Sequence, residues 1–150
     1  MSCLVCHNND RFDELPPRER VAADTSWRVA HALDASLPGW LVLVPRRHVT
    51  ALAELTDAEA VALGAWQVRL SRALHDVTGC VKTYVMQFSE HEGFGHVHFH
   101  LVPRMPDIPD DHRGPAVFRY LGHPPGHGVT EQQRDDLAAS IQARLQRAGS

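Results

Sequence analysis

Residues 95–104 read Gly-His-Val-His-Phe-His-Leu-Val-Pro-Arg. His96, His98 and His100 fall on alternate positions, and Val97, Phe99 and Leu101 fill the gaps. Period two marks a half-buried β-strand, whose alternate residues share a face. The pattern therefore predicts a strand with the imidazoles on one side and the apolar set turned into a core. Same-face neighbours lie roughly 6–7 Å apart along a strand, so adjacent members line a surface rather than jointly grip one metal ion. An affinity-tag-like patch would be terminal and would lack the apolar alternation. Histidines on a packed strand cost desolvation unless they serve something, so the row points to a site.

The segment before it is built in the same way. Gly39 is followed by the apolar run Trp40-Leu41-Val42-Leu43-Val44 and then by Pro45-Arg46-Arg47-His48. This reads as a continuous apolar strand entered through the turn Leu37-Pro38-Gly39. Val21-Ala22-Ala23 and Trp27 to Leu33 read as two more strands about an Asp24-Thr25 turn, and Lys82 to Ser89 as another. Thr56 with Glu59 forms a capping box, and Leu63, Trp66, Leu70, Ala73, Leu74 and Val77 recur at helical spacing up to Gly79. In this long helix His75 and Cys80 read as packing residues. Thr130 with Gln133 caps a final helix whose Leu137, Ile141 and Leu145 form one apolar stripe, able to dock on the body or on a second subunit. Arg11 to Arg20 reads as loop. So does most of Met105 to Gly128, with Ala116 to Leu121 as its structured part and His112, His123 and His127 as loop histidines.

The chain opens with Cys3-Leu4-Val5-Cys6. Alone, C-x-x-C reads as a redox pair, as half a zinc site or as nothing. The second half of a local zinc motif is missing, so any further ligands come from distant parts of the fold; His7 and Asn8 read as solvated loop. The three cysteines are an odd number, which argues against a disulfide framework. Free thiols fit a reducing cytosol, and the N-terminus lacks the basic and apolar regions of a signal peptide. The net charge of −3 leaves no polybasic footprint for nucleic acid. No apolar run approaches transmembrane length. With 150 residues the chain suits one domain with a sizeable core. A cytoplasmic protein that binds neither nucleic acid nor membrane is expected.

His96-Val97-His98-Phe99-His100-Leu101-Val102 resembles, at every position, the signature of the histidine-triad (HIT) superfamily of nucleotide hydrolases and transferases. Gly39 to His48 resembles that family's second element. The resemblance covers about Cys3 to Pro106, and the C-x-x-C opening is similar to that of many bacterial HIT proteins. It implies an α+β fold: an antiparallel sheet of about five strands carrying the triad on a central strand, and the Thr56–Val77 helix packed on it. Residues 1–106 would form the HIT domain, and 107–150 a C-terminal loop and helix packed on the domain or on its partner in a homodimer. A structural zinc bound by Cys3, Cys6, His48 and His96 is implied. That set suits tetrahedral zinc, and antiparallel neighbouring strands would bring His48 and His96 to one corner of the sheet.

The resemblance further implies that His98 attacks the α-phosphorus of a nucleotide substrate, that His100 stabilises or protonates beside the phosphate, and that His96 and His48 fix the geometry behind the nucleophile. A nucleotidyl-histidine intermediate would then be cleaved by water to a nucleoside monophosphate. The transferase branch carries Gln at the third triad position, so His100 favours hydrolysis. Asp34 corresponds to an Asp that binds ribose hydroxyls, although the spacing to Gly39 is two residues short of the common pattern; as an ordinary turn residue it is equally explained. The family's Asn and its Gln or Ser near the phosphate are absent. Gln87 and Ser89 stand near the first position and Glu92 and Gly93 near the second, and Gly93 and Gly95 would let backbone N–H groups approach an anion. Two functions of different class follow. One is a hydrolase acting on a dinucleoside polyphosphate or a nucleoside phosphoramidate. The other is a non-catalytic nucleotide-binding or interaction module on a zinc-stabilised HIT scaffold. Release of AMP from such substrates separates them.

Overall fold

The computed structural model describes residues 2–122 and 128–148; His123 and His127 lie outside them. Helix α1 (Leu4–Asp10) is followed by two 3-10 turns, Phe12–Glu14 and Pro17–Glu19. Then come strands β1 (Ala22–Ala23), β2 (Trp27–His31) and β3 (Leu41–Pro45), helix α2 (Asp57–Thr78), and strands β4 (Lys82–Met86) and β5 (Phe99–Arg104). Two further 3-10 turns, Asp110–His112 and Gly114–Tyr120, lead to helix α3 (Glu131–Ala148). The strands form one five-stranded sheet in the order β1-β2-β3-β5-β4, with every pairing antiparallel. The expected α+β architecture is the observed one.

Alternation sorts the side chains onto two faces. Val29, Leu41, Leu43, Phe99 and Leu101 join Trp66, Leu70 and Leu74 of α2 and Ala138, Ile141 and Leu145 of α3 in one core. Trp40 and Val102 turn the other way, into a second cluster with Ala32, Ala35, Leu37, Ile108 and Val117. The C-terminal segment thus covers part of the face opposite the helices. The buried stripe of α3 runs through Ala138, Ile141 and Leu145, and Leu137 is only half-buried.

Helix α2 is bounded as expected. Thr56 Oγ1 accepts from Glu59 N–H, the Glu59 carboxylate accepts from Thr56 N–H, and Gly79 takes the left-handed conformation at the other end (φ +75°). His75 differs from expectation. It lies exposed in the last turn, 3.3 Å from Asp76, where solvent and a carboxylate suit it better than the core. Cys80 is buried.

The opening also differs. Leu4–Asp10 is a helix, not a loop, and Cys3 is its N-cap, its sulfur accepting from Cys6 N–H. This helix is tied to the sheet by polar contacts. The Asn9 amide donates to the carbonyls of Pro45 and Arg46 (both 3.2 Å), and its oxygen accepts from buried Arg28 Nε at 2.7 Å. Among the described residues no helix is long and apolar enough to cross a membrane.

Candidate functional site

β5 as hydrogen-bonded begins at Phe99, so of the three histidines only His100 lies within it. His96 and His98 occupy the extended approach, held by two contacts that replace a ladder. Val97 N–H donates to Val49 C=O at 2.8 Å, and His98 N–H donates to Ser89 Oγ at 3.1 Å. Val97, Phe99 and Leu101 are buried in the helical core, so the apolar half of the alternation holds through the approach.

Each imidazole has its proton placed by its neighbours. His96 Nε2 lies 2.8 Å from Pro45 C=O. A carbonyl only accepts, so the proton is on Nε2 and the Nδ1 lone pair faces the other way. His98 Nδ1 lies 2.9 Å from His96 C=O, so there the proton is on Nδ1 and the Nε2 lone pair is left for chemistry. His100 Nδ1 accepts from the indole Nε1–H of Trp40 at 3.0 Å. An indole only donates, which puts the His100 proton on Nε2. The His98 and His100 rings meet edge to face with centroids 5.0 Å apart. Burial, assisted by the charge His98 would carry, pulls His100 down from 6.5 to about 4. At neutral pH His100 is an uncharged N–H donor.

Behind His98 lies a cluster of four donors. Among the described residues, Cys3, Cys6, His48 and His96 each bring one ligand atom within 4.8 Å of all the others. His96 Nδ1 is 3.1 Å from His48 Nδ1 and 3.5 Å from each sulfur, and Cys6 Sγ is 3.2 Å from His48 Nδ1. Without a cation this crowding is unfavourable: burial and the adjacent Cys3 push the Cys6 thiol up from 9.0 to about 11. Burial likewise lowers His96, which stays neutral and able to ligate. The four can hold a metal ion with no protein position left open.

Other expected residues are placed as follows. Ser89, at φ +55°, receives the Gln87 amide at 2.7 Å in addition to His98 N–H, so both residues brace the backbone of His98. Gly93 sits at φ +83° in a turn closed by Phe94 N–H donating to His91 C=O. Asp34 Oδ2 accepts from Gly122 N–H at 3.1 Å, which commits one of its oxygens to the C-terminal segment.

Sequence reasoning missed three participants. Trp40 was visible only as an apolar strand residue; the signal was its indole N–H at an interior position, which requires an acceptor. Phe118 packs edge-on against His100 (5.3 Å), Trp40 (5.8 Å) and Phe88 (5.7 Å), a contact no local pattern announces. Buried His31 closes the β2–β3 connection, with Nε2 accepting from Gly39 N–H at 3.0 Å and Nδ1 donating to Ala32 C=O at 2.9 Å. Burial pulls it down to about 4.

No protein-family model matches the chain, and no curated protein matches it. Solved structures do. It is similar to a Zn-bound histidine triad family protein from Mycobacterium smegmatis, with 17% identity, 99% of this chain and 96% of the other covered, and a TM-score of 0.71. A histidine triad (HIT) protein from Sinorhizobium meliloti matches at 20% identity over 90% of this chain and 93% of its own, with a TM-score of 0.70. A hypothetical histidine triad nucleotide-binding protein from Sulfolobus tokodaii matches at 16% identity over 97% and 93%, with a TM-score of 0.71. Over nearly its whole length the chain has the fold of the histidine triad proteins.

The buried histidines make stability pH-dependent. His31 and His100 titrate near 6.5 when unfolded and near 4 when folded. As pH falls below 6.5 the unfolded chain takes up protons that the folded one refuses, so stability is full above that pH and is lost as pH falls towards and through 4. The slope is at most about 1.4 kcal/mol per pH unit for each histidine. Urea titrations of wild type and His31→Gln between pH 7 and 4 isolate one group. The wild type should lose stability more steeply than the variant, and parallel curves would refute the assignment.

Proposed function

We propose that this chain is a nucleotide hydrolase that cleaves at the α-phosphorus of a dinucleoside polyphosphate or a nucleoside phosphoramidate. The observation that carries the reading is the proton placement at the triad: His98 offers a free Nε2 lone pair next to a neutral N–H donor on His100. A neutral imidazole attacks at physiological pH and leaves readily, which suits two-step phosphoryl chemistry.

In the first step His98 Nε2 forms a bond to the α-phosphorus as the bond to the leaving group breaks. A polyphosphate departs as its anion, and a leaving amine takes a proton from solvent. In the second step water attacks phosphorus, gives its proton to solvent and returns the electron pair to His98, releasing a nucleoside monophosphate. His100 Nε2–H donates to a phosphoryl oxygen. Because that ring is neutral, its part is hydrogen bonding to developing charge rather than proton transfer. Ser89 and Gln87 hold the backbone of His98. Gly93 leaves its turn open to phosphate, and Asp34 would meet a ribose hydroxyl.

Zinc suits this donor set, and Cys3, Cys6, His48 and His96 would hold it. Tetrahedral zinc with Zn–N of about 2.05 Å and Zn–S of about 2.3 Å needs N···N edges of about 3.3 Å and N···S edges of about 3.6 Å. The separations of 3.1, 3.2 and 3.5 Å fit that ion. Bound there, it would neutralise the two thiolates and fix the His96 ring, two residues from the nucleophile. A homodimer is supported by β4, an edge strand flanked and lined by exposed Val81 and Val85, which offers unpaired backbone to a second copy.

Three measurements check these statements. Changing His98 to Ala should lower turnover by at least roughly a thousandfold with an unchanged circular dichroism spectrum, and acid quenching of wild type should trap a nucleotide on that residue; near wild-type turnover in the variant would end the mechanism. Protein purified without added metal should carry about one zinc per chain, lost in the Cys3→Ser, Cys6→Ser double variant; metal-free, fully stable wild type would exclude the site. Light scattering at micromolar concentration should give twice the chain mass, and a monomer would remove the dimer.

A further inference from the structure

We propose that Trp40 is a positioning residue that holds His100 in the tautomer that the reaction uses, while Phe118 of the C-terminal segment holds the orientation of the ring. The inference rests on the hydrolase reading above for its consequence, but not for its geometry. Trp40 is fully buried at the entry to β3, and its Nε1–H reaches His100 Nδ1 at 3.0 Å. The bond exists only while Nδ1 holds a lone pair. The alternative tautomer would set two N–H donors against each other in a buried site, where among the described residues neither has another partner. The proton is therefore kept on Nε2, the one ring nitrogen left to meet a substrate.

The ring is also held in orientation. Trp40 stands almost perpendicular to it, at 84° with centroids 5.6 Å apart. Phe118 closes a second side at 90° and 5.3 Å, and itself touches Trp40. Phe118 is carried by the turn Gly114–Tyr120, which is pinned at one end to β4 and at the other to the β2–β3 connection. Gly114 N–H donates to the Tyr84 hydroxyl at 3.0 Å, and Tyr120 C=O accepts from Ser36 N–H at 2.7 Å and from Ser36 Oγ at 3.2 Å. Just beyond it, Gly122 N–H donates to Asp34. A segment that lies outside the triad motif thus returns to fix the third histidine.

The test is long-range proton–nitrogen correlation on the full, metal-loaded chain with ¹⁵N-labelled histidine, His100 being assigned by the resonance missing in His100→Asn. Wild type should show His100 as a single Nε2–H tautomer. Trp40→Phe keeps a buried ring and removes the donor; it should show a mixture of His100 tautomers, with His98 still protonated on Nδ1. With a nucleoside phosphoramidate, its kcat should fall about ten- to a hundredfold with KM within about twofold. Phe118→Leu, which keeps the indole bond, should retain the single tautomer. An Nδ1–H tautomer in wild type overturns the proposal even if Trp40→Phe does not fold. So does a Trp40→Phe protein with the wild-type tautomer and the wild-type kcat. Absence of hydrolysis by wild type would count against the hydrolase reading, while the tautomer would still be read from the spectra.

Discussion

The pairing of β3 with β5 is the constraint on which the rest depends. Its register sets Leu41 opposite Leu101, Val42 opposite His100 and Leu43 opposite Phe99. At one end this brings Trp40 within diagonal reach of His100. Continued past the other end, it brings Pro45 C=O to the ring of His96 and His48 to its Nδ1 side. A slip of one residue would turn Phe99 and Leu101 out of the helical core and His100 into it. The buried apolar residues of both strands therefore hold the chemistry in place without touching it.

The corner beyond that ladder is anchored twice. The two cysteines of α1 meet His48 and His96, and Asn9 of the same helix meets Arg28 and the carbonyls that follow β3. A seven-residue helix has little stability of its own. Its position comes from these contacts, so α1 and the start of the triad segment are ordered together. The sheet fixes where His96 stands, His96 supplies the carbonyl that fixes the proton of His98, and the four-donor cluster fixes the His96 ring.

Much of this was legible in the sequence. The alternation from His96 to Leu101 marked both the site and its core side. Thr56, Glu59 and Gly79 marked the bounds of α2, because caps are local chemistry. The convergence of Cys3, Cys6, His48 and His96 followed from a family resemblance and from strand ends meeting at one corner. What was hidden lies in contacts between distant residues. Nothing near Phe118 says that it will rest on His100, nor anything near Gly122 that it will bond Asp34. Helix α1 was missed because seven residues starting from a cysteine cap show no apolar period. His75 lies outside the apolar spacing of α2, on its exposed face beside Asp76.

The central claim is that His98 attacks phosphorus and that water completes the reaction in a second displacement. The stereochemical course tests it most directly, using a substrate made chiral at the α-phosphorus with sulfur and one oxygen isotope and hydrolysed in water of another isotope. Each in-line displacement inverts the centre, so two in succession retain it. Attack by His98 should give a nucleoside thiophosphate with net retention of configuration and solvent oxygen on the α-phosphorus. Net inversion would mean direct attack by water and would contradict the role given to His98.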